Sequence, residues 1–441
     1  MTVCAIEPPS TDGSAGVPGT GCAITADGAY AARLARDGDS WFPERWTLDG
    51  PEPYAVPLPG NQPEGPGTEV QPMGDGRVLI HRPVAGRHAF SLLYPTGPGT
   101  GELPLGAVEC AGPGTRLTLL PPAPGGVRAY ALAVGPRSSV VWLVAGGAFG
   151  PQRCAEVPGR CSGGVWLDGS GRLLALDREL DGRTKTVVVD LERAGEVSPL
   201  LQIAEGSDDR LLLADPDSGL LLISSDAPSP GRERLGWGVL GSTLPVRFPE
   251  CLRVPECVVT PFAIQPGQVL MPENCAVGLR IDGSLGTWVG VWRPAGREVR
   301  HLPAPEGWLA GTGLCTRDGV LRLPYATEAT PCGVSDVPAP GGVAAPATAG
   351  AGDAAREGTG VVAREGTGVV AAERTGGVAA ERAGGVAAER AGGAQGPDPD
   401  GGAAGAFERV GPVGAEPGPP VPAAARPVPL QQAPLGRLVT N

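Results

Sequence analysis

The stretch Gly169-Ser170-Gly171-Arg172-Leu173-Leu174-Ala175-Leu176 is a tight-turn tripeptide followed at once by an apolar run. Ser-Gly supplies the positive φ that a short hairpin turn requires, at a place where a Cβ would clash. Downstream come a third run, Thr186-Val187-Val188-Val189-Asp190, and a weaker fourth, Ser198-Pro199-Leu200-Leu201. These runs are short, bounded by Gly, Pro and Asp, and keep no 3.6-residue period. They are therefore read as strands rather than helix.

The same unit recurs along the chain. An apolar run, a Gly-bearing turn and a second run appear at Ala26-Asp27-Gly28, Gly74-Asp75-Gly76, Pro124-Gly125-Gly126, Gly169-Ser170-Gly171, Asp217-Ser218-Gly219, Gln265-Pro266-Gly267 and Arg317-Asp318-Gly319. The last glycines of these turns are 48, 50, 45, 48, 48 and 52 residues apart, which makes seven copies of one unit. Further strand-like runs come after some of the turns, as in Val78-Leu79-Ile80, Leu220-Leu221-Leu222-Ile223 and Trp288-Val289-Gly290-Val291-Trp292.

Four strands in about 48 residues is the spacing of a β-propeller blade, and residues 1–336 resemble the β-propeller superfamily with WD-repeat-like spacing. The resemblance implies an all-β, seven-bladed ring of four-stranded antiparallel blades near 22–59, 67–106, 114–157, 160–202, 207–250, 257–303 and 308–336. It stops at the superfamily. The Gly-His and Trp-Asp pairs of WD repeats, the Kelch double glycine and the sialidase Asp box are all missing. A two-domain β-sandwich is the competing reading of regularly spaced strands. The seventh unit is short, and Thr2-Val3-Cys4-Ala5-Ile6 is expected to supply its outer strand, locking the ring and bringing Cys4 toward Cys332.

Gly and Pro, 71 and 50 of 441 residues, need two explanations. In the body they mark the turns. From Val337 onward the chain turns to Ala, Gly, Pro, Val, Arg and Glu and keeps one of the protein's 19 aromatics, Phe407. Residues 355–394 are five octads (AREGTGVV twice, AAERTGGV, AAERAGGV, AAERAGGA), with two Gly in each and nothing bulky to bury. A disordered tail over 337–441 is expected. Its Pro-rich end is read as linker, and Pro434-Leu435-Gly436-Arg437-Leu438-Val439 is a candidate docking motif.

The net charge is −12, and 34 of the 35 basic residues are Arg, with Lys185 the one lysine. That bias matches the codon usage of a GC-rich bacterial genome. With no basic run and a pI near 4.9, the chain is not expected to bind nucleic acid. No stretch approaches 18 consecutive apolar residues, so no membrane span is expected. The first residues show neither a positive n-region nor an apolar h-region, and a cytoplasmic location is expected, with export as the alternative.

Ten cysteines, at 4, 22, 110, 154, 161, 251, 257, 275, 315 and 332, form no C-x-x-C, and with three His an ordinary zinc site is not expected. They are read as small buried hydrophobes. In an oxidised form the disulfide candidates are Cys154 with Cys161, Cys251 with Cys257, and Cys4 with Cys332.

Catalytic machinery is not visible. There is no G-x-S-x-G elbow, P-loop or Rossmann fingerprint, so no catalytic residue, cofactor or metal ligand is assigned. Asp168, Asp177, Glu179, Asp181, Asp208, Asp209, Asp215 and Asp217 cluster in the fourth and fifth units, where Asp beside Gly is mainly a turn former. His81, His88 and His301 have no partner identifiable by spacing and are read as packing or surface residues. Trp41, Trp46, Trp142, Trp166, Trp237, Trp288, Trp292 and Trp308 are read as packing between blades, with a stacking platform for a sugar or peptide as the functional alternative. The sequence thus points to a non-catalytic module with a protein partner. A propeller acting on a carbohydrate or another small molecule is the second reading.

Overall fold

The computed structural model describes residues 21–60, 63–84, 86–110, 114–267 and 271–340. Residues 2–6 with Cys4, the octads and nearly all of the expected tail lie outside them. The described chain is a seven-bladed β-propeller built from sequential antiparallel sheets. The first blade is β1–β4 (Cys22–Ile24, Tyr30–Asp37, Ser40–Thr47, Tyr54–Pro57) and the second β5–β8 (Glu69–Pro72, Val78–Val84, Arg87–Pro95, Thr100–Glu109). The third is β9–β12 (Arg116–Leu119, Ala129–Val134, Ser138–Ala145, Gln152–Pro158), and the fourth β13–β16 (Arg160–Trp166, Leu173–Leu180, Arg183–Asp190, Glu196–Leu201). Next comes the fifth, β17–β19 (Asp209–Ala214, Leu220–Ser225, Arg234–Val239), and then β20–β23 of the sixth (Val258–Ile264, Val277–Gly283, Gly286–Trp292, Arg300–Leu302). The seventh is β24–β26 (Leu314–Cys315, Val320–Tyr325, Gly333–Pro338).

The seven turns that set the period join the first and second strands of the seven blades. In each, the last glycine has a φ between 63° and 85°. This is the left-handed region where Gly carries no Cβ penalty. The high glycine content of the body is therefore a consequence of this turn, made once per blade.

The apolar runs after the turns lack the alternation of a half-exposed sheet, because second strands are covered on both faces. In β18, Leu221 and Ile223 pack with fourth-blade residues such as Leu201 and Val188. Leu220 and Leu222 point the other way, into a cluster with Val277, Leu279 and Ile281 of the sixth. Likewise Leu174 and Leu176 of β14 face the third blade, while Ala175 faces the fifth. Burying one such Leu contributes about 1.5–3 kcal/mol, so each interface is held by a handful of side chains.

Two blades depart from four regular strands. In the fifth, the outer position is filled by a single bridge in which Trp237 and Arg247 exchange backbone hydrogen bonds of 2.8 and 2.9 Å. The chain then passes through a 3-10 turn, Glu250–Leu252, to reach β20. In the seventh, β26 pairs with β25 alone among the described residues, and it runs to Pro338, two residues past the expected end of the ring. Ala339 N still donates to Gly319 O at 2.7 Å.

First and last blades meet in a seam where Ala31, Trp46, Leu48 and Cys22 pack against Leu309, Ala326, Cys332 and Val334. Thr312 Oγ1 donates to Cys22 O at 3.2 Å, and an Arg322 guanidinium nitrogen donates to Leu48 O at 3.0 Å. The partner the seam gives Cys332 among the described thiols is thus Cys22.

Turn also meets turn between blades. Gly74 N donates to Gly126 O at 2.9 Å, and a Cβ on Gly126 would stand 2.6 Å from both Gly74 N and Cα. Neither backbone can yield. Gly126→Ala is expected to cost about 2–4 kcal/mol, from the left-handed conformation plus overpacking. Gly125→Ala has the same handedness but open space around it, and should cost about 1 kcal/mol. Urea midpoints of the two variants check the difference.

Candidate functional site

Most of the acidic cluster of the fourth and fifth blades is spent on the fold. Asp168 accepts hydrogen bonds from Ser170 N, Ser170 Oγ, Arg172 N and Leu173 N. Asp215 caps the next turn through Ser218, and Asp208 accepts from Thr184 N. Asp181 sits in a turn at φ 52°. Fully buried Asp209 takes Lys185 Nζ at 2.7 Å together with Ser207 Oγ, Ser225 Oγ and Ile203 N. The one lysine therefore neutralises an interior carboxylate.

Asp177 on β14 differs. Its Oδ1 accepts from Thr186 Oγ1 at 2.7 Å and from Leu211 N at 3.0 Å. Its Oδ2 lies 3.3 Å from where a Cβ would stand on Gly163, in the bulge of β13. Burial pushes this carboxyl above the usual range, with the two hydrogen bonds opposing.

The histidines at 81 and 88 are not the isolated residues that spacing suggested. Glu69 on β5 pairs directly with His81 on β6, and across the β6–β7 hairpin His88 is the diagonal neighbour of His81 on the same face. Glu69 Oε2 stands 3.0 Å from His81 Nδ1, and His81 Nε2 stands 2.8 Å from His88 Nδ1. Glu69 Oε2 also accepts from Leu119 N of the third blade at 2.8 Å. The rings are 1% and 8% exposed, and Phe90 stacks on His81 at 5.1 Å. Burial lowers the His88 pKa, with the neighbouring His81 adding to that and Glu69 opposing it. Sequence reading missed Glu69. The signal was the turn Gly74-Asp75-Gly76, whose register sets Glu69 of β5 opposite His81 of β6.

Two cavities accompany these groups. One, of about 400 Å³, lies against the first strands of the first three blades, with Glu69 on its wall among Ala23, Val70, Leu119, Leu120 and Pro121. The other, of about 420 Å³, is a cleft between the fifth and sixth blades, at the place where the fifth lacks a regular outer strand. Leu212, Leu235, Leu252, Val254 and Val259 line it, and Arg210, Arg234, Arg253 and Glu233 stand at its rim. Val258 at its lip is 66% exposed, and Leu285, on the tip of the adjoining β21–β22 hairpin, is 97% exposed. Neither cavity is lined by an aromatic side chain. Trp46, Trp166, Trp237 and Trp292 are buried in blade interfaces, and Trp288 donates to His301 Nδ1 at 2.7 Å.

The nine described cysteines are all unpaired. Cys154 on β12 and Cys161 on β13 share one core cluster, and Cys251 and Cys257 share another. Burial pushes the Cys22, Cys315 and Cys332 thiols up to about 12. Among the described residues no group of three or more His, Cys, Asp or Glu is arranged to hold a metal ion, and no helix is long and apolar enough to cross a membrane.

No family model matches the chain, and no curated protein does. Solved structures do resemble it in fold. TolB from Acinetobacter baumannii matches at 11% identity and a TM-score of 0.38, over 72% of this chain and 82% of that one. Oligogalacturonate lyase from Vibrio parahaemolyticus matches at 10% and 0.46, over 69% and 85%. Prolyl oligopeptidase B from Galerina marginata matches at 10% and 0.42, over 70% of this chain but 45% of its own length. A likeness at this level is one of architecture, and it assigns no ligand or reaction.

The shifted groups have measurable consequences. Thiolate is the reactive form of cysteine, so Cys22, Cys315 and Cys332 should resist a thiol-specific disulfide reagent at mildly alkaline pH until the protein is unfolded. Fast labelling of these three in the native state would contradict their raised pKa values. Asp177, its pKa raised in the fold, binds its proton more tightly folded than unfolded, so its contribution to stability falls as pH rises from the ordinary carboxylate range to the raised value. Asp177→Asn keeps an acceptor for Thr186 and Leu211. It should compare better with wild type at about pH 8 than at about pH 4, as read from urea midpoints at both.

Proposed function

We propose that this protein is a non-catalytic interaction module whose cleft between the fifth and sixth blades takes an apolar segment of a partner protein carrying an acidic residue. The cleft and its lip carry this reading. A large apolar side chain stands in solvent at Val258, in the lining of an apolar cavity of about 420 Å³, and a second, Leu285, is exposed on the hairpin that follows the strand paired with it. Exposed apolar surface of this kind, rimmed by polar groups, marks interaction sites.

The rim selects the partner's charge. Arg234 holds Glu250 at 2.7 Å, Arg253 reaches the same carboxylate at 3.4 Å, and Arg210 lies 3.9 Å from Glu233. Three guanidinium groups thus face two carboxylates, a local excess of positive charge on a chain of net −12. An acidic side chain on the incoming segment would complete the set, and charge complementarity at a rim acts mainly on encounter rate and specificity. The reading places the protein in the cytoplasm with ten free thiols, whereas an exported form would carry bridges among the candidate pairs.

The full chain as bait, with and without the paired changes Val258→Glu and Leu285→Glu, tests this in a lysate of the source cells. Both positions are exposed, so the fold should lose no more than about 0.5 kcal/mol per change. Wild type should retain a stoichiometric protein partner that the double variant releases at least about tenfold, equivalent to about 1.4 kcal/mol. Retention of the same partner by both, or capture of none by wild type, overturns the proposal.

A further inference from the structure

We propose that the cavity against the first three blades is a binding site for a short aliphatic ammonium ion, held by Glu69 and sensed by the His81–His88 pair. The site is separate from the cleft and stands whether or not the cleft binds a protein.

A purely structural role for Glu69 would be complete with one oxygen. Oε2 alone accepts from His81 and from Leu119 N, tying the second blade to the third. Among the described residues no donor reaches Oε1, and the side chain is 33% exposed on the cavity wall. Behind it, away from the cavity, stand two imidazoles, one almost fully buried and the other nearly so. A staple between blades needs neither of them. What they provide is a carboxylate fixed in position, backed by a polarisable chain of hydrogen bonds.

The walls decide what kind of cation fits. Apart from Glu69 the lining is neutral, since burial keeps the Cys22 thiol protonated. A hard metal ion would want six or more oxygens, and the side chains of this wall offer one free carboxylate oxygen, the Thr68 hydroxyl and the Gln71 amide oxygen, with both His81 nitrogens already engaged. An ammonium head needs a single charged acceptor, and Val70, Leu119, Leu120 and Pro121 can desolvate an alkyl chain. No aromatic face lines the space, so the quaternary cations that favour aromatic cages are not the match.

Bound charge would be felt along the chain of rings. A cation at Oε1 weakens the hold of Glu69 on the His81 Nδ1 proton, and the change passes through Nε2 to His88. The chain has three histidines, so ring nitrogen signals in histidine-labelled full-length protein report the two, once His301→Gln has identified the third.

The test titrates n-butylammonium, with n-butanol as the uncharged control. A saturable shift of the His81 and His88 signals with the amine, and none with the alcohol, is expected. Glu69→Gln keeps an acceptor for Leu119 N and should abolish the shift. Ala23→Leu narrows the cavity without touching the carboxylate and should weaken binding by about tenfold or more. An unsaturable response, an equal response to n-butanol, or wild-type binding by either variant overturns the proposal.

Discussion

Every blade of this protein is covered on both faces by its neighbours, and that constraint governs the rest. The run Leu220-Leu221-Leu222-Ile223 divides its side chains between the fourth and the sixth blade, so neither face of β18 can be left to solvent. An isolated blade would expose both apolar faces, and an open row of blades would expose one at each end. Closure of the ring is thus required by the side chains of the second strands. The seam that achieves it joins residues almost 300 positions apart, with Arg322 donating to the carbonyl of Leu48.

Within that constraint, the outer strand is where the blades differ most. Second and third strands supply most of each interface, and outer strands add to it where they are regular, as Val157 of β12 and Leu201 of β16 do. In the fifth blade the outer strand is reduced to one bridge at Arg247. The chain crosses directly to β20, and a cleft remains where a regular strand would have filled space. The seam between blades still holds through Trp237, Val277 and Leu279. The open space lies where the fifth blade lacks a regular outer strand.

Glycine spacing made the ring legible from sequence, because a left-handed turn conformation is demanded once per blade and glycine meets it in all seven. The apolar runs told strand from helix. Blade-to-blade contacts were not legible, since which of two alternating faces meets which neighbour depends on closure. For the same reason the partners of His81 could not be read from spacing. Glu69 and His81 are twelve residues apart, and only the register of β5 on β6 puts one opposite the other. Asp177 hid differently. It reads like its turn-forming neighbours, but it sits mid-strand, where its partner Leu211 N belongs to the next blade.

Two carboxylates in this ring, one buried and one on a cavity wall, are held in different ways. Asp209 is fully buried, and both its oxygens are occupied by Lys185, two serine hydroxyls and a backbone amide. Every polar atom there is answered within the protein, and removing one partner would leave an uncompensated charge inside. Glu69 carries the same charge with one oxygen answered and the other turned to a cavity, while its second partner is a titratable ring chained to another. The fold therefore answers both oxygens of one carboxylate and leaves the other with an oxygen facing a cavity.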